Sequence, residues 1–448
     1  MSGRAAGRVS ALAAKPEVQP YLDAFVLPEG EPFWLWRERE ESLARFAEEG
    51  FPSRKNESWR SIDLEPLAKN PLFPLAEAPQ ALAAAGAFQG ALLARLEEAR
   101  VEKKGLLFVL RDGRFDPALS SQGELPEGVR LGSISAAARS ETLLRPRLKA
   151  PSGPFAALNA AFFRDGFFLE IAPGTILDQP IEIVHLVAAA ASLSLHTRSL
   201  VLLGEESRAT LCESFIGEGR YWRNDRVDIA LAPSAELSRF LILEEGENAI
   251  HFDETEAVLG EAARFSSCAI LLRGRTLRQE TNVISEGRGA RSVLNAAALL
   301  SGRQEANIVS AVEHHAAEGE TRELVKIAAS GRAHGAFQGR ITVHPGAQKV
   351  DAHQLSQNLL LSPRAAVDAK PELEIFADDV KCSHGAAVGD LDEAQIFYCR
   401  SRGLPQREAR GLLIEAFLRD VLAEATTPLA RHLSSRLSRR LATLEEEP

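Results

Sequence analysis

Ala209-Thr-Leu211, Ala235-Glu-Leu237, Ala263-Arg-Phe265 and Ala290-Arg-Ser-Val293 are the runs on which the reading of this chain turns. They begin 26, 28 and 27 residues apart; Ala317 follows after 27 more and Ala347 after a further 30. Each opens on a small residue and then alternates apolar with polar side chains, the period of a strand with one buried face. A strand-type unit recurring at this interval cannot bury its apolar face alone, so its copies must stack. Alanine is abundant here, so no single spacing counts for much; the succession carries the argument. The expected core is a mainly-β solenoid, or β-helix, over residues 151–390, which begins where the chain changes character near Pro151.

Outward from that core the pattern is helical. In residues 1–150, Phe33, Trp36, Ser42, Leu43 and Phe46 recur at roughly helical intervals, and the Ala- and Leu-rich stretch from Pro79 to Val101 predicts another helix. Between them Gly50, Pro52, Pro66 and Pro71 break the pattern, and Gly105-Leu-Leu-Phe-Val-Leu110 reads as a strand. In residues 391–448, Pro405 suits a first helical turn. Ala409, Leu412, Leu413, Ala416, Phe417 and Val421 then share one helical face. After Pro428, Leu429, Leu433, Leu437 and Leu441 recur every four positions. These two amphipathic helices are expected either to pack on one end of the solenoid or to offer leucines to a partner.

Composition narrows the function classes. The chain has 448 residues, of which 45% are hydrophobic and 25% charged, enough for a large core in more than one folding unit. A formal charge of −10 with dispersed basic residues argues against a nucleic-acid partner. No apolar run approaches the roughly 18 residues of a membrane span. The segment before Glu17 carries Arg4, Arg8 and several Ala without a signal-type apolar centre, and reads as a frayed terminus. Four scattered cysteines form neither CxxC pairs nor a disulfide framework, which fits a reducing cytoplasm. GxxxxGK[ST], GxSxG, HExxH and GxGxxG are all missing.

One segment gathers groups that can do chemistry: Ala377-Asp-Asp-Val-Lys-Cys-Ser-His-Gly-Ala-Ala-Val-Gly389. If it is extended, alternation places Cys382 and His384 on one face. A thiolate beside an imidazole suits iron or zinc, or a nucleophile with its base. Two ligands leave a cluster site incomplete, and the spacing fits a structural Cys with a hydrogen-bonded His equally well. His314-His315, His334, His344 and His353 read as polar rung or surface residues, since neighbours on a strand face opposite ways. Cys212, Cys268 and Cys399 read as small core residues. Trp59 fits either core or interface.

The run Asp378 to Asp392, followed by Phe397-Tyr-Cys-Arg-Ser-Arg-Gly403, resembles the C-terminal signature of the SufB/SufD family of iron–sulfur cluster assembly proteins. Lys55-Asn-Glu-Ser-Trp-Arg60 with Leu64, Leu158-Asn-Ala160 with Gly166 and Pro180-Ile181, and Gly331-Arg332 through Gly339-Arg340 resemble earlier family segments, so the likeness spans about residues 50 to 425. It implies a right-handed parallel β-helix between N- and C-terminal helical domains. It also implies a complex in which a SufB-like subunit pairs through the β-helix and the SufC ATPase docks on the C-terminal helices, with Arg402, Gly403, Leu412, Leu413 and Phe417 marking the candidate docking region. A homodimer is the expected substitute where the SufB-like subunit is missing. His384 matches the family's functional histidine and Cys382 its neighbouring cysteine, which makes them candidate ligands for a transient iron–sulfur cluster that the isolated chain does not hold. The SufB pattern has a His-Glu-Ala motif where this chain has Ser383-His-Gly385. It also has a sulfur-accepting cysteine in the region of Ser362-Pro-Arg-Ala-Ala-Val367, where this chain has none. The resemblance therefore falls on the SufD side and implies a scaffold subunit without catalysis of its own.

Two other readings of the same features are a β-helix carbohydrate-active enzyme, given the acidic residues such solenoids often present on one face, and a purely structural partner of the ATPase. The missing signal peptide weighs against the first; a stable ATPase complex whose cluster yield ignores every His and Cys would favour the second.

Overall fold

In a computed structural model, which describes residues 15–28, 30–73, 86–102, 105–138, 144, 153–188 and 192–444, the centre of the chain winds into a parallel β-solenoid of about eight turns. Successive strands alternate between a ten-stranded and a nine-stranded sheet, so each strand pairs with the one two places on. Arg264–Arg273 lies between Glu236–Glu244 and Arg291–Leu300, and Ile250–Leu259 between Tyr221–Leu231 and Thr276–Ser285. Arg264 faces Glu236 on one side and Arg291 on the other, and the register holds along the strand until it shifts between Leu271 and Arg273.

The recurring small residues mark a corner of this winding. Ala235, Ala263 and Ala290 are completely buried, and each follows a residue of positive φ: Ser234 at 57°, Ala262 at 53° and Gly289 at 69°. A left-handed residue turns the chain sharply, and the next side chain then points into the lumen. Adjacent turns repeat the device with Glu206 at 55° before Ser207, Glu318 at 63° before Gly319, and Lys349 at 62° before Val350. The period is therefore real, but Ala209, Ala317 and Ala347 stand two or three residues off the repeating position. Gly319 is required there, because a Cβ would lie 2.3 Å from Nδ1 of the buried His314.

Helices cover both sheets. Tyr21, Phe46, Phe51 and Phe155 pack with Trp222 and Phe252 of the nine-stranded sheet. The ten-stranded sheet offers Phe240, Ile242, Cys268, Ile270 and Leu299 to Leu429, Leu433, Leu437 and Leu441 of the helix Thr427–Leu444. That leucine row is thus spent on a broad face of the solenoid, neither on its end nor on a partner. The expected helix in 79–101 is seen as Gly86–Ala99; residues 79–85 lie outside the described residues, as do the first 14 and the boundary at 150/151. The expected strand is Leu106–Arg111, and it pairs in parallel with Ile181–Val187 as part of the first rung.

The lumen has an apolar corner and a charged middle. Arg223, Asp225, Glu245 and His251 are buried together, as are Arg239, Glu213 and Asp253. Burial disfavours a charged His251, but the Asp225 and Glu245 carboxylates outweigh it and raise its pKa to about 9. These acidic groups are sequestered in pairs and present no open carboxylate face.

The two ends differ. At the first, Arg114–Phe115 and Val129–Ser133 add short antiparallel strands to the outer edges of the two sheets. At the other, Ala366–Ile375 and Lys381–Gly389 are the last strands of their sheets, and among the described residues no strand pairs with their outer edges. Among the described residues, no helix is long and apolar enough to cross a membrane.

Candidate functional site

The candidate ligands stand on that open end. Lys381–Gly389 is held in register by Asp351–Leu360, with Ala352 opposite Cys382, His353 opposite Ser383 and Gln354 opposite His384. Its turn is set by Lys349, which donates its backbone N–H to the Asp379 carbonyl at 2.5 Å, and by Lys381, whose N–H reaches Val350 O at 2.8 Å. Alternation puts Cys382 and His384 on the lumen side, as the spacing predicts. Their neighbours Ala352 and Gln354 are buried, and Cys382 packs against the main apolar core. His384 is exposed because no rung follows. On the outer side, the His353 Nδ1 and Ser383 Oγ lie 2.5 Å apart.

Partial burial raises the Cys382 thiol above its ordinary pKa, with a backbone hydrogen bond from Ala352 opposing the shift. The thiol is therefore protonated at neutral pH, and a metal would have to displace that proton to bind. Behind His384 runs a buried polar column through the register Glu323, Gln354, His384. Burial pushes the Glu323 carboxyl up to about 7, with the polar Ser310 and Gln354 side chains beside it opposing the shift. Among the described residues, Cys382 and His384 gather no third His, Cys, Asp or Glu donor about them. On this chain they form an incomplete ligand set.

Cys212 and Cys268 are core residues as expected. Burial raises both thiols, that of Cys268 to about 12, and the Cys268 thiol donates to Val421 O at 3.4 Å. Cys399 is only half buried, on the helix Glu393–Ser401. Ser362–Val367 forms the turn into the last strand of the nine-stranded sheet.

The five residues of the candidate docking region separate. Arg402, Gly403 and Leu412 are exposed, and the Arg402 guanidinium lies over the Tyr398 ring at 5.3 Å. Leu413 and Phe417 turn toward the solenoid, with Phe417 under the Lys326 ammonium at 4.4 Å. The helix Gln406–Arg419 buries Ala409, Ile414 and Leu418, a stripe rotated from the one its sequence suggests. Phe397 and Tyr398, which the sequence offers only as part of a signature run, are 73% and 60% exposed, which their size and aromatic character do not foretell. Trp59 is resolved as packing: it lies edge-on to Phe155 and Phe252, under Arg278 at 4.0 Å. Next to it, Glu57 pairs with Lys370 on the last strand of the nine-stranded sheet, and Gln338 donates to Glu57 O at 3.2 Å.

Two family models match the chain: the SufBD protein N-terminal region over residues 26–183, and the SufBD core domain of the SUF iron–sulfur cluster assembly system over residues 185–417. The chain is 30% identical over 417 residues to the iron–sulfur cluster assembly protein SufD of Escherichia coli, covering 90% of this chain and 92% of that protein. It is 26% identical over 430 residues to the protein of the same name from Bacillus subtilis, covering 91% and 93%. A SufBD family protein of Synechocystis is 29% identical over 394 residues, covering 85% and 84%.

Proposed function

Since the chain belongs to the SufB/SufD family of iron–sulfur cluster assembly proteins, we propose that it is the SufD-type scaffold of an ATPase-driven assembly complex, without catalysis of its own, and that it contributes Cys382 and His384 to a cluster built against a SufB-like subunit. The observation that carries this reading is their place on the lumen face of the last strand, at an end where both sheets stop with unpaired edges. Strands of nine and ten residues, each paired along one edge only, expose a row of N–H and C=O groups that demand a partner. A second β-solenoid meeting this end satisfies both edges and brings its own donors to Cys382 and His384. The same end joins two copies of this chain when the SufB-like subunit is missing.

Iron and sulfide are cargo in this scheme, held transiently at the joint and never by the isolated chain. Neutral imidazole ligates iron without adding negative charge, which favours later release. The chain supplies no sulfur-accepting cysteine between Ser362 and Val367, so the sulfur arrives through the partner. A SufC-like ATPase docks on Arg402, Gly403 and Leu412 together with Phe397 and Tyr398. Its motion passes through the C-terminal helices to the ten-stranded sheet, of which the Cys382 strand is the last member. The cytoplasm is the compartment in which such thiols stay reduced.

The test is anaerobic co-expression with SufB-like and SufC-like partners, reading cluster yield from the absorption spectrum. His384→Ala is expected to abolish most of the cluster while the complex still assembles. Undiminished cluster in that variant overturns the assignment of His384. A complex that keeps the ATPase while cluster yield ignores both Cys382 and His384 leaves only a structural role.

A further inference from the structure

His315 and His344 occupy equivalent positions on consecutive turns of the solenoid. The ladder between Glu305–His314 and His334–Val343 ends with His314 opposite Val343; one residue further on, His344 donates its backbone N–H to His314 O at 3.0 Å. The two imidazoles, one rung apart, lie face to face with ring centroids 4.0 Å apart and planes within 15°. Glu313 stands two residues before His315, on the same side of the strand. Its Oε2 lies 3.2 Å from His315 Nε2 and 3.5 Å from His344 Nε2. His314, between them, points the other way into the protein. Adjacent histidines thus do not share an ion, but histidines of neighbouring rungs can.

Three features set this cluster apart from an ordinary surface ion pair. The ligating atoms of all three residues lie within 4.8 Å of one another. The carboxylate-to-imidazole separations equal those between donors on one metal, since bonds of about 2.1 Å at tetrahedral angles put donors about 3.4 Å apart. His344 Nε2 is buried and has no hydrogen-bond partner among the described residues, which is uncommon for a buried polar atom. We propose that Glu313, His315 and His344 form a binding site for a divalent first-row transition-metal ion. Two imidazoles and one carboxylate are the donor set that such ions take and that calcium and magnesium do not favour. All three side chains are 35–42% exposed, so the cluster lies at the surface of the solenoid, within reach of an ion from solution. Bound there, it ties two consecutive turns of the solenoid at a corner where backbone hydrogen bonds, the stacked imidazoles and the Glu313–His344 pair already join them.

The site is distinct from Cys382 and His384, and its test keeps them apart. Cobalt(II) is titrated into the purified full-length chain carrying Cys382→Ser and His384→Ala, following its visible d–d absorption and the thermal midpoint. One equivalent is expected to bind with d–d bands, without sulfur-to-metal charge transfer, and to raise the midpoint. His344→Ala and, separately, Glu313→Gln are each expected to weaken that binding by at least about tenfold, the equivalent of about 1.4 kcal/mol, and to remove the midpoint shift. Both replace half-exposed side chains, so circular dichroism matching the parent shows that the fold persists. Absence of binding in the parent, or unchanged binding in both variants, overturns the proposal. Neither result bears on cluster assembly, which is read in a different complex at different residues.

Discussion

Enclosed beside Ser310 and Gln354, the Glu323 carboxyl keeps its proton up to about pH 7, where an exposed glutamate loses it near 4.5. Between those values the folded chain holds a proton that the unfolded chain has released. Stability therefore falls as pH rises through that window, by at most about 1.4 kcal/mol per pH unit, and levels off above pH 7. Glu323→Gln keeps the neutral hydrogen-bonding form at every pH. The variant is expected to match the parent near pH 4.5 and to exceed it progressively up to pH 7, measured as urea midpoints across that range. A constant difference across the range would show that the carboxyl does not titrate there. Single residues divide sharply in how far sequence shows their placement. The common face of Cys382 and His384 was legible because alternation within one strand fixes it. Glu323 was not: its burial depends on a lumen that exists only after the rungs close. The convergence of His315 and His344 was likewise hidden, since they lie 29 positions apart in sequence and meet only through the register.

At the level of elements, the two C-terminal helices invite a paired comparison. Leu433 is 1% exposed against the ten-stranded sheet, whereas Leu412 is 52% exposed. Leu433→Ala is expected to cost about 2–5 kcal/mol through lost burial and the cavity left behind. Leu412→Ala is expected to change stability by less than about 0.5 kcal/mol while weakening association with the ATPase. Denaturant titration and a pull-down check the two halves. Equal destabilisation by both would mean that Leu412 is packed after all. The existence of these helices was plain from their periodicity, and so was the leucine row after Pro428. The orientation of Gln406–Arg419 was not. Its sequence offers apolar residues around more than half its circumference, and the sheet selected Ala409, Ile414 and Leu418. Phe417 is diverted beneath Lys326, whose ammonium also pairs with Asp420 at 2.5 Å.

For the molecule as a whole, the solenoid is the feature that sequence conveyed best, because repetition makes each rung a restatement of the last. What repetition could not convey is where it stops and what closes it. The strand Leu106–Arg111 joins the first rung from outside the repetitive segment, while the last rung is left bare. Val388 lies on that bare rung, 49% exposed and on the same face as Cys382 and His384. A lysine there opposes strand-to-strand association in the way natural edges do. Val388→Lys is expected to leave the thermal midpoint of the isolated chain nearly unchanged and to weaken pairing with the SufB-like subunit by about tenfold or more, about 1.4 kcal/mol, as read by analytical ultracentrifugation. Undiminished pairing would place the interface elsewhere.

The contrast between the two ends has a consequence for growth. A stacked β structure with two equivalent ends is a monomer for a fibre, since every addition regenerates the surface that accepted it. Here Arg114–Phe115 and Val129–Ser133, short and antiparallel, finish one end. Under the proposed pairing, joining consumes the long edges of Ala366–Ile375 and Lys381–Gly389, and the short edge strands at the far end offer a further subunit little to pair with, so growth is expected to stop at two subunits.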